Sequence, residues 1–226
     1  MKILSWNCHG LGNAAAIRAL LEVQRSCNPE VMFLSETHLD DYPAECLRRK
    51  LQMDVKVVSV SDGRKGGLAM FWKRDSGVQL IYASPNYIDV KIEDSSGEEW
   101  RFTGMYGEFK WQEKYRTWNR MRMLKQQNNL PWVIAGYLNE ILQLSEKEGG
   151  NPRPIQYMDA LRDALTDCNL EDIGFVGDKF TWRRGRLRER LDRAAANSGW
   201  PQMHPLAALI NMEFNHSGSS PYTARY

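Results

Sequence analysis

The chain lacks the cysteine patterns that indicate a zinc site or a disulfide-stapled secreted protein. Its four cysteines, Cys8, Cys27, Cys46 and Cys168, form no CxxC pair and show no spacing to histidine that suits zinc. No signal-peptide pattern is present at the start of the sequence. We therefore expect free thiols, no disulfides, and a nuclear or cytoplasmic protein.

Long apolar runs, internal repeats and low-complexity tracts are also missing. The longest apolar stretches are broken by Arg, Lys, Glu or Gly well before the roughly 18 residues that a membrane span needs. No linker-like segment divides the 226 residues, and two-layer β folds often reach about 200–250 residues as one domain. We expect a single domain over residues 1–226 that has no membrane contact.

A strong charge of one sign is absent as well. The formal net charge of +2 neither demands nor excludes a polyanionic partner, because a near-neutral total can hide a basic groove. The densest basic stretch runs from residue 183 to residue 193 and includes Arg184, Arg186 and Arg188. This pattern is compatible with a solvated loop and helix face or with a surface that contacts phosphates.

What the sequence does contain is enough apolar material for a sizeable core, since 42% of its residues are hydrophobic and 8 are tryptophan. Short runs rich in β-branched or aromatic residues predict strands. These runs cover residues 1–7, 31–34, 55–60, 67–72, 78–84, 87–92, 100–106 and 132–135. Apolar residues at helical spacing predict helices over 14–27, capped by Asn13, 112–127 and 155–168.

Apolar strands of this kind need cover on both faces, and the predicted helices lie at separated points along the chain. Two sheets packed face to face with helices outside satisfy both demands. We therefore predict the α/β class and, within it, a four-layer α/β/β/α sandwich of two mostly antiparallel sheets flanked by helices. The patterns do not determine the order of the strands.

Polar residues follow several of the predicted strands, where sites on α/β scaffolds tend to lie. They form the motifs SWNC at 5–8, LSET at 34–37, TGMYG at 103–107 and GYLNE at 136–140. Their residue types and order resemble the Mg²⁺-dependent endonuclease/exonuclease/phosphatase family. A single short motif would be weak evidence, but an ordered set is much more specific.

Further stretches are similar to the apurinic/apyrimidinic-endonuclease-like domain of plant LINE-type retrotransposons. They are GGLA at 66–69, EKEGG at 146–150, KFTW at 179–182 and ERLDRA at 189–194. The resemblance covers nearly the whole chain. Because nothing resembles a reverse transcriptase or a zinc knuckle, we expect a separated domain or a fragment of a longer element.

The resemblance implies a phosphodiester hydrolase site that uses Mg²⁺. By resemblance, Glu36 and Asn7 hold the ion, Tyr106 contacts the phosphate, Asn139 orients the scissile group, and Asp192 orients a catalytic histidine. Taken singly, these residues are also compatible with a solvated strand end, a turn cap or an interface aromatic.

Three positions depart from the family pattern. Tyr137 stands where the family has an aspartate, while Gly218 and Ser219 stand where it has an Asp-His pair. A phenol with a reference pKa near 10 cannot replace a carboxylate as a proton acceptor at neutral pH. A positioned acid or base is typically worth about 10²–10⁴ in rate, so we expect little hydrolysis. Because two of the family's carboxylates are missing and Mg²⁺ affinity depends on a small number of charged oxygens, we also expect weak or absent Mg²⁺ binding. His9 and His216 are possible substitutes, but loop histidines exposed to solvent are the simpler interpretation.

Two hypotheses follow from these motifs. The favoured one is a catalytically impaired or inactive endonuclease-like protein, derived from a retrotransposon endonuclease, that binds DNA, RNA or a protein partner. In it Arg184, Arg186 and Arg188 contact nucleic acid. The alternative is an active Mg²⁺-dependent endonuclease with an altered site; a phosphatase acting on a small phosphorylated substrate has weaker sequence support. In every case the motif residues should converge at one end of the sandwich.

Overall fold

The structure, a computed structural model, describes residues 1–60, 66–212 and 222–225. Its strands are β1 (Lys2–Asn7), β2 (Val31–Ser35), β3 (Val55–Ser59), β4 (Leu68–Trp72), β5 (Val78–Ala83), β6 (Tyr87–Glu93), β7 (Glu99–Tyr106), β8 (Trp132–Tyr137), β9 (Lys147–Glu148), β10 (Glu171–Asp172), β11 (Val176–Gly177), β12 (Trp182–Arg184), β13 (Leu187–Glu189), β14 (Asp192–Ala196), β15 (Ala208–Asn211) and β16 (Tyr222–Arg225). Its helices are α1 (Ala14–Cys27), α2 (Asp41–Lys50), α3 (Lys114–Lys125), α4 (Ile155–Asp167) and the short α5 (Gly199–Met203).

Every strand and helix predicted from the sequence patterns is present within a few residues. The side chain of Asn13 caps α1 by accepting a hydrogen bond from the backbone N–H of Ala16 at 2.8 Å. Helix α2 and strand β14 were not predicted. Only Ala44 and Leu47 of α2 are buried, and β14 is mostly alanine, so neither segment carries a clear apolar pattern.

Two large sheets form the body of the fold. Among the described residues, the strands of the first sheet lie in the order β11-β15-β16-β1-β2-β4-β3, and those of the second in the order β10-β14-β8-β7-β6-β5. The pairs β1/β2, β7/β8 and β11/β15 are parallel, and the other neighbours in these orders are antiparallel. The predicted mostly antiparallel sheets are confirmed. A small additional sheet, β12-β13-β9, was not predicted.

The main apolar core lies between the two sheets, where Phe33 and Met70 of the first sheet meet Phe102 and Val133 of the second. A Cβ atom on Gly104 would lie 2.4 Å from the Phe33 ring, so the absence of a side chain there allows the sheets to approach. Two further cores cover the outer faces, one under α1 and α2 and the other under α3 and α4. The predicted four-layer sandwich is therefore confirmed.

The cysteines and the apolar character of the helices were also predicted from the sequence. All four cysteines are free thiols, and three of them are buried. Among the described residues, no helix combines the length and apolar character required to cross a bilayer.

A buried ion pair joins β6 and β7 within the second sheet. Arg101 donates to Asp89 through Nε at 2.9 Å and Nη2 at 2.7 Å, and the Thr103 hydroxyl donates to the same carboxylate at 2.6 Å. Arg101 Nη1 also donates to the carbonyl of Leu124 at 2.6 Å, near the end of α3. The pair therefore fixes α3 to the sheet from which Tyr106 extends.

We expect Asp89→Ala to destabilise the protein by roughly 3–5 kcal/mol, because it leaves the Arg101 guanidinium buried without its carboxylate. The matched control is Glu99→Ala, which removes the partly exposed Lys91–Glu99 pair of 2.6 Å on the same two strands and should cost less than about 1 kcal/mol. Urea unfolding at neutral pH measures both. Equal, small losses of unfolding free energy from the two substitutions would contradict a stabilising role for the buried Arg101–Asp89 pair.

Candidate active site

The ends of three strands bring polar side chains together around Glu36. Asn7 ends β1, Glu36 follows β2, and Tyr106 ends β7 of the opposite sheet. Asn7 Nδ2 donates to Glu36 Oε1 at 3.0 Å, and the Tyr106 hydroxyl donates to the same oxygen at 2.7 Å. His9 Nδ1 lies 2.8 Å from the other oxygen, Oε2. One carboxylate thus links side chains from both sheets.

The backbone around this carboxylate adopts a conformation that residues other than glycine rarely take. The φ angles are 47° at His9, 52° at Glu36 and 60° at Asn139. The loop after β1 holds Glu36 in place, because the Gly10 N–H donates to the Glu36 carbonyl at 2.7 Å. Left-handed residues of this kind cost about 1–3 kcal/mol each and cluster at functional sites.

Hydrogen bonds determine the charge state of the cluster. Burial acts to raise the pKa of Glu36, but the hydrogen bonds from His9, Tyr106 and Asn7 outweigh it, so the pKa lies below its usual value. Burial and the nearby Glu36 charge both raise the pKa of Tyr106. At neutral pH the cluster is therefore an ionised carboxylate that accepts a hydrogen bond from a neutral phenol.

Tyr137 packs directly against this cluster. It ends β8, lies opposite Tyr106 in the parallel β7/β8 register, and stacks on that ring with centroids 6.0 Å apart and an interplanar angle of 12°. Burial, followed by the charges of Asp192 and Glu36, raises its pKa well above the usual value. Tyr137 is consequently a buried neutral phenol.

Asp192 faces Tyr137 across the antiparallel pair of β14 and β8. The residue is 1% exposed, and neither of its carboxylate oxygens has a hydrogen-bond partner among the described residues. Its backbone N–H donates to the Thr181 hydroxyl oxygen at 2.9 Å. Burial raises the pKa of Asp192 well above its usual value, and the nearby Thr181 hydroxyl only partly opposes this. Buried polar atoms without partners are uncommon in folded proteins.

Asn139 lies in the loop after β8 and borders the same cluster. Its Nδ2 donates to the carbonyl of Gly107 at 2.7 Å, and its own carbonyl accepts a hydrogen bond from Lys114 Nζ. The next residue, Glu140, is buried and pairs with Lys114 at 2.6 Å and Arg153 at 3.0 Å. These ion pairs fix the loop that presents Asn139.

The described residues that the motifs predicted to converge lie together at one end of the sandwich. They are Asn7, Glu36, Tyr106, Tyr137, Asn139 and Asp192. Gly218, Ser219 and His216 lie outside the described residues. His9, which the sequence suggested only as a possible substitute, contacts Glu36 directly. The motifs gave no signal for Lys114 and Arg153, which support the Asn139 loop.

Glu36 and Asn7 are the side chains of this cluster that would hold a divalent cation. The described residues contain no cluster of three or more His, Cys, Asp or Glu side chains arranged to hold a metal. Mg²⁺ prefers oxygen ligands in near-octahedral geometry and usually keeps several waters. Here Glu36 is the carboxylate of the cluster, and Asn7, Tyr106 and His9 already contact both of its oxygens.

The basic stretch from 183 to 193 divides into two parts. Arg184 and Arg186 are exposed at the turn between β12 and β13, while Arg188 pairs with Glu148 and lies 5.2 Å from the Phe180 ring. Arg190 and Arg193, by contrast, are buried.

These two buried arginines share one ion-pair network. Each pairs with both Glu146 and Asp172, and their distances to Glu146 are 2.8 Å and 2.6 Å. Asp192 lies between the two in sequence, so the β12/β13 hairpin leads directly into the site. Among the described arginines of this stretch, Arg184 and Arg186 are exposed on the hairpin, where an external phosphate can reach them.

Comparisons with known proteins agree with this architecture. The family described as "Endonuclease/Exonuclease/phosphatase family" matches residues 4–205. No curated protein matches the chain at a significant level. An AP endonuclease from Leishmania major has a TM-score of 0.74 at 17% identity, with 99% of this chain and 86% of that one covered.

Two other solved structures are similar over nearly their full lengths. The endonuclease domain of TRAS1, a telomere-specific non-LTR retrotransposon, has a TM-score of 0.72 at 14% identity, covering 99% of this chain and 96% of that one. A 3'-5' exonuclease from Neisseria meningitidis has a TM-score of 0.73 at 16% identity, covering 100% and 99%. At these identities the likeness establishes the fold alone.

The environment of Asp192 predicts how stability changes with pH. An unfolded aspartate ionises near about pH 4, and folding raises the pKa of Asp192. The folded state therefore binds the proton more tightly, and stability is lost as the pH rises above about 4. Asp192→Asn cannot ionise, so we expect its melting temperature to exceed that of the wild type by about 2 °C or more near neutral pH.

Thermal unfolding between acidic and mildly alkaline pH measures this effect, and the difference should shrink toward about pH 4. The control is Asp75→Asn, at an exposed aspartate, which should show no pH-dependent difference. A destabilised Asp192→Asn protein at alkaline pH would contradict a raised pKa for the buried Asp192 carboxyl.

Proposed function

The chain belongs to the endonuclease/exonuclease/phosphatase family, and we propose that it is a catalytically impaired member that binds nucleic acid without cutting it. The observation that carries the proposal is the buried neutral phenol of Tyr137, stacked on Tyr106 next to Glu36. By family resemblance an aspartate belongs at this position. A neutral phenol with a raised pKa cannot accept the proton that a carboxylate would take.

The state of Asp192 supports the same proposal. By resemblance this residue orients a histidine that belongs where the chain has Ser219. Both of its carboxylate oxygens are without hydrogen-bond partners in the described part of the chain. By resemblance the two groups act as a unit, and groups that act as a unit lose their effect together when one of them is replaced.

The groups that would contact a phosphate are still in place. The Asn7 amide and the Tyr106 hydroxyl converge on Glu36, and Asn139 borders them. A divalent ion held by Glu36 and Asn7 would supply charge stabilisation to hydrolysis, but the described residues offer it a single carboxylate. Binding therefore depends on the neutral donors and on nearby positive charge.

That positive charge comes from the β12/β13 hairpin, which leads into Asp192. We place the nucleic-acid contacts on Arg184 and Arg186 at its turn and on Arg188 beside them. By resemblance, Tyr137 and Gly218 stand where the family carries aspartates, so the chain has two fewer negative charges in its family motifs. Lower negative charge favours retention of a polyanion.

We further propose that the chain derives from a plant LINE-type retrotransposon endonuclease and acts in the nucleus or cytoplasm. The GGLA, EKEGG, KFTW and ERLDRA stretches support this origin. The second candidate function is an active Mg²⁺-dependent endonuclease. It is favoured by the intact contact of Asn7, Tyr106 and Glu36 and by the lowered pKa of Glu36.

The test of nucleic-acid binding is a gel-shift titration at low and moderate salt with Mg²⁺ present. Arg184→Ala/Arg186→Ala/Arg188→Ala should weaken duplex binding by about tenfold or more. It should also reduce the slope of log affinity against log salt by about 0.9 for each phosphate that the variant no longer neutralises.

The matched control is Arg18→Ala/Arg25→Ala/Lys50→Ala, which removes the same charge from exposed positions on α1 and α2 and should leave binding within about twofold. Absence of nucleic-acid binding at low salt would contradict the proposal and favour a role in binding a protein partner. Equal losses of duplex affinity in the two triple variants would show that the hairpin is not part of the binding surface.

A further inference from the structure

A cluster of exposed aromatic rings lies in the segment that follows Tyr106. Between β7 and the first turn of α3, Phe109 is 52% exposed, Trp111 56% and Tyr115 55%. Trp111 stacks on Tyr157 of α4, with centroids 5.6 Å apart and planes 19° from parallel. We call Phe109, Trp111, Tyr115 and Tyr157 the aromatic platform.

None of these rings belongs to an apolar core of the described fold. Phe109, Trp111 and Tyr115 lie in one short segment and are each more than half exposed, and large exposed apolar side chains close together mark an interaction surface more often than a structural one. Trp111 and Tyr157 also come from different parts of the chain, because α3, β8 and β9 lie between the loop and α4. Because the two ring planes are nearly parallel, the pair forms a flat aromatic surface.

Positive charge is interleaved with the rings. Lys110 Nζ lies 5.8 Å from the Phe109 ring centroid, and Arg116 Cζ lies 5.9 Å from that of Tyr115. Glu113 is the acidic residue between them, at 3.8 Å from Lys110 Nζ. Flat rings next to cations match a ligand that carries both stackable faces and negative charge, which is the chemistry of a nucleic-acid strand.

The platform is attached to the candidate site. Lys114, one residue before Tyr115, donates to the carbonyl of Asn139. Arg153, four residues before Tyr157, pairs with Glu140 at 3.0 Å. Both segments that carry the platform are therefore tied to the loop that presents Asn139.

We propose that the aromatic platform binds unpaired bases, so that the protein prefers single-stranded nucleic acid over a duplex. Bases inside a duplex already stack on each other, whereas unpaired bases offer their faces to aromatic side chains. The inference rests on the proposed nucleic-acid binding and adds the class of ligand. Stacking tolerates any base, so the preference is for strandedness and not for sequence.

The test compares binding of fluorescent oligothymidine and of a mixed-sequence duplex of equal length by anisotropy. Wild type should bind the single strand more tightly than the duplex. Trp111→Ala and Tyr157→Ala should each weaken single-strand binding by about fivefold or more and leave duplex binding within about twofold, while Trp111→Phe should retain most of the affinity.

Tyr42→Ala is the matched control, because Tyr42 lies on α2 and is 78% exposed; it should change neither affinity. The proposed role of the aromatic platform would be contradicted if the protein bound the duplex as tightly as the single strand or more tightly. It would also be contradicted if the platform variants lowered the affinity for both ligands equally. The proposed function would survive that result as long as the hairpin arginines still control duplex binding. No binding to either ligand would overturn both proposals, and unchanged thermal unfolding of the variants shows that each effect is local.

Discussion

The carboxylate of Glu36 is the point on which the candidate site depends, because it accepts hydrogen bonds from both sheets of the sandwich. Asn7 reaches it from the neighbouring parallel strand and Tyr106 from the facing sheet. Such an arrangement requires the sheets to approach closely, which Gly104 allows against Phe33. It also requires a left-handed backbone at Glu36, which the loop after β1 holds in place.

Two buried side chains, Tyr137 and Asp192, lie beside this fixed carboxylate. Tyr137 fills the space between Tyr106 and Asp192 with a neutral ring, and its burial keeps it neutral. Asp192 is buried without a partner in the described part of the chain, which favours its protonated form. We infer that the site keeps a binding geometry while the groups that would perform hydrolysis are replaced or idle.

Much of this architecture could be predicted from the sequence, since short β-branched and apolar runs such as Val31–Leu34 favour a buried strand, and Glu36 directly follows that strand. Other features could not, because they depend on tertiary register. Arg190 and Arg193 are the same residue type as their exposed neighbours in sequence, yet both are buried and form ion pairs with Glu146 and Asp172. The contact of His9 with Glu36 and the stack of Trp111 on Tyr157 likewise join residues distant along the chain.

The most direct measurement of the central claim is Mg²⁺-dependent nicking of supercoiled plasmid by purified protein, with EDTA as the blank. We predict that wild type and Glu36→Gln both leave the plasmid intact. The triple reversion Tyr137→Asp/Gly218→Asp/Ser219→His should convert it to open circles in a Mg²⁺-dependent reaction. Nicking by the wild type that both EDTA and Glu36→Gln abolish would contradict catalytic impairment and establish an active endonuclease.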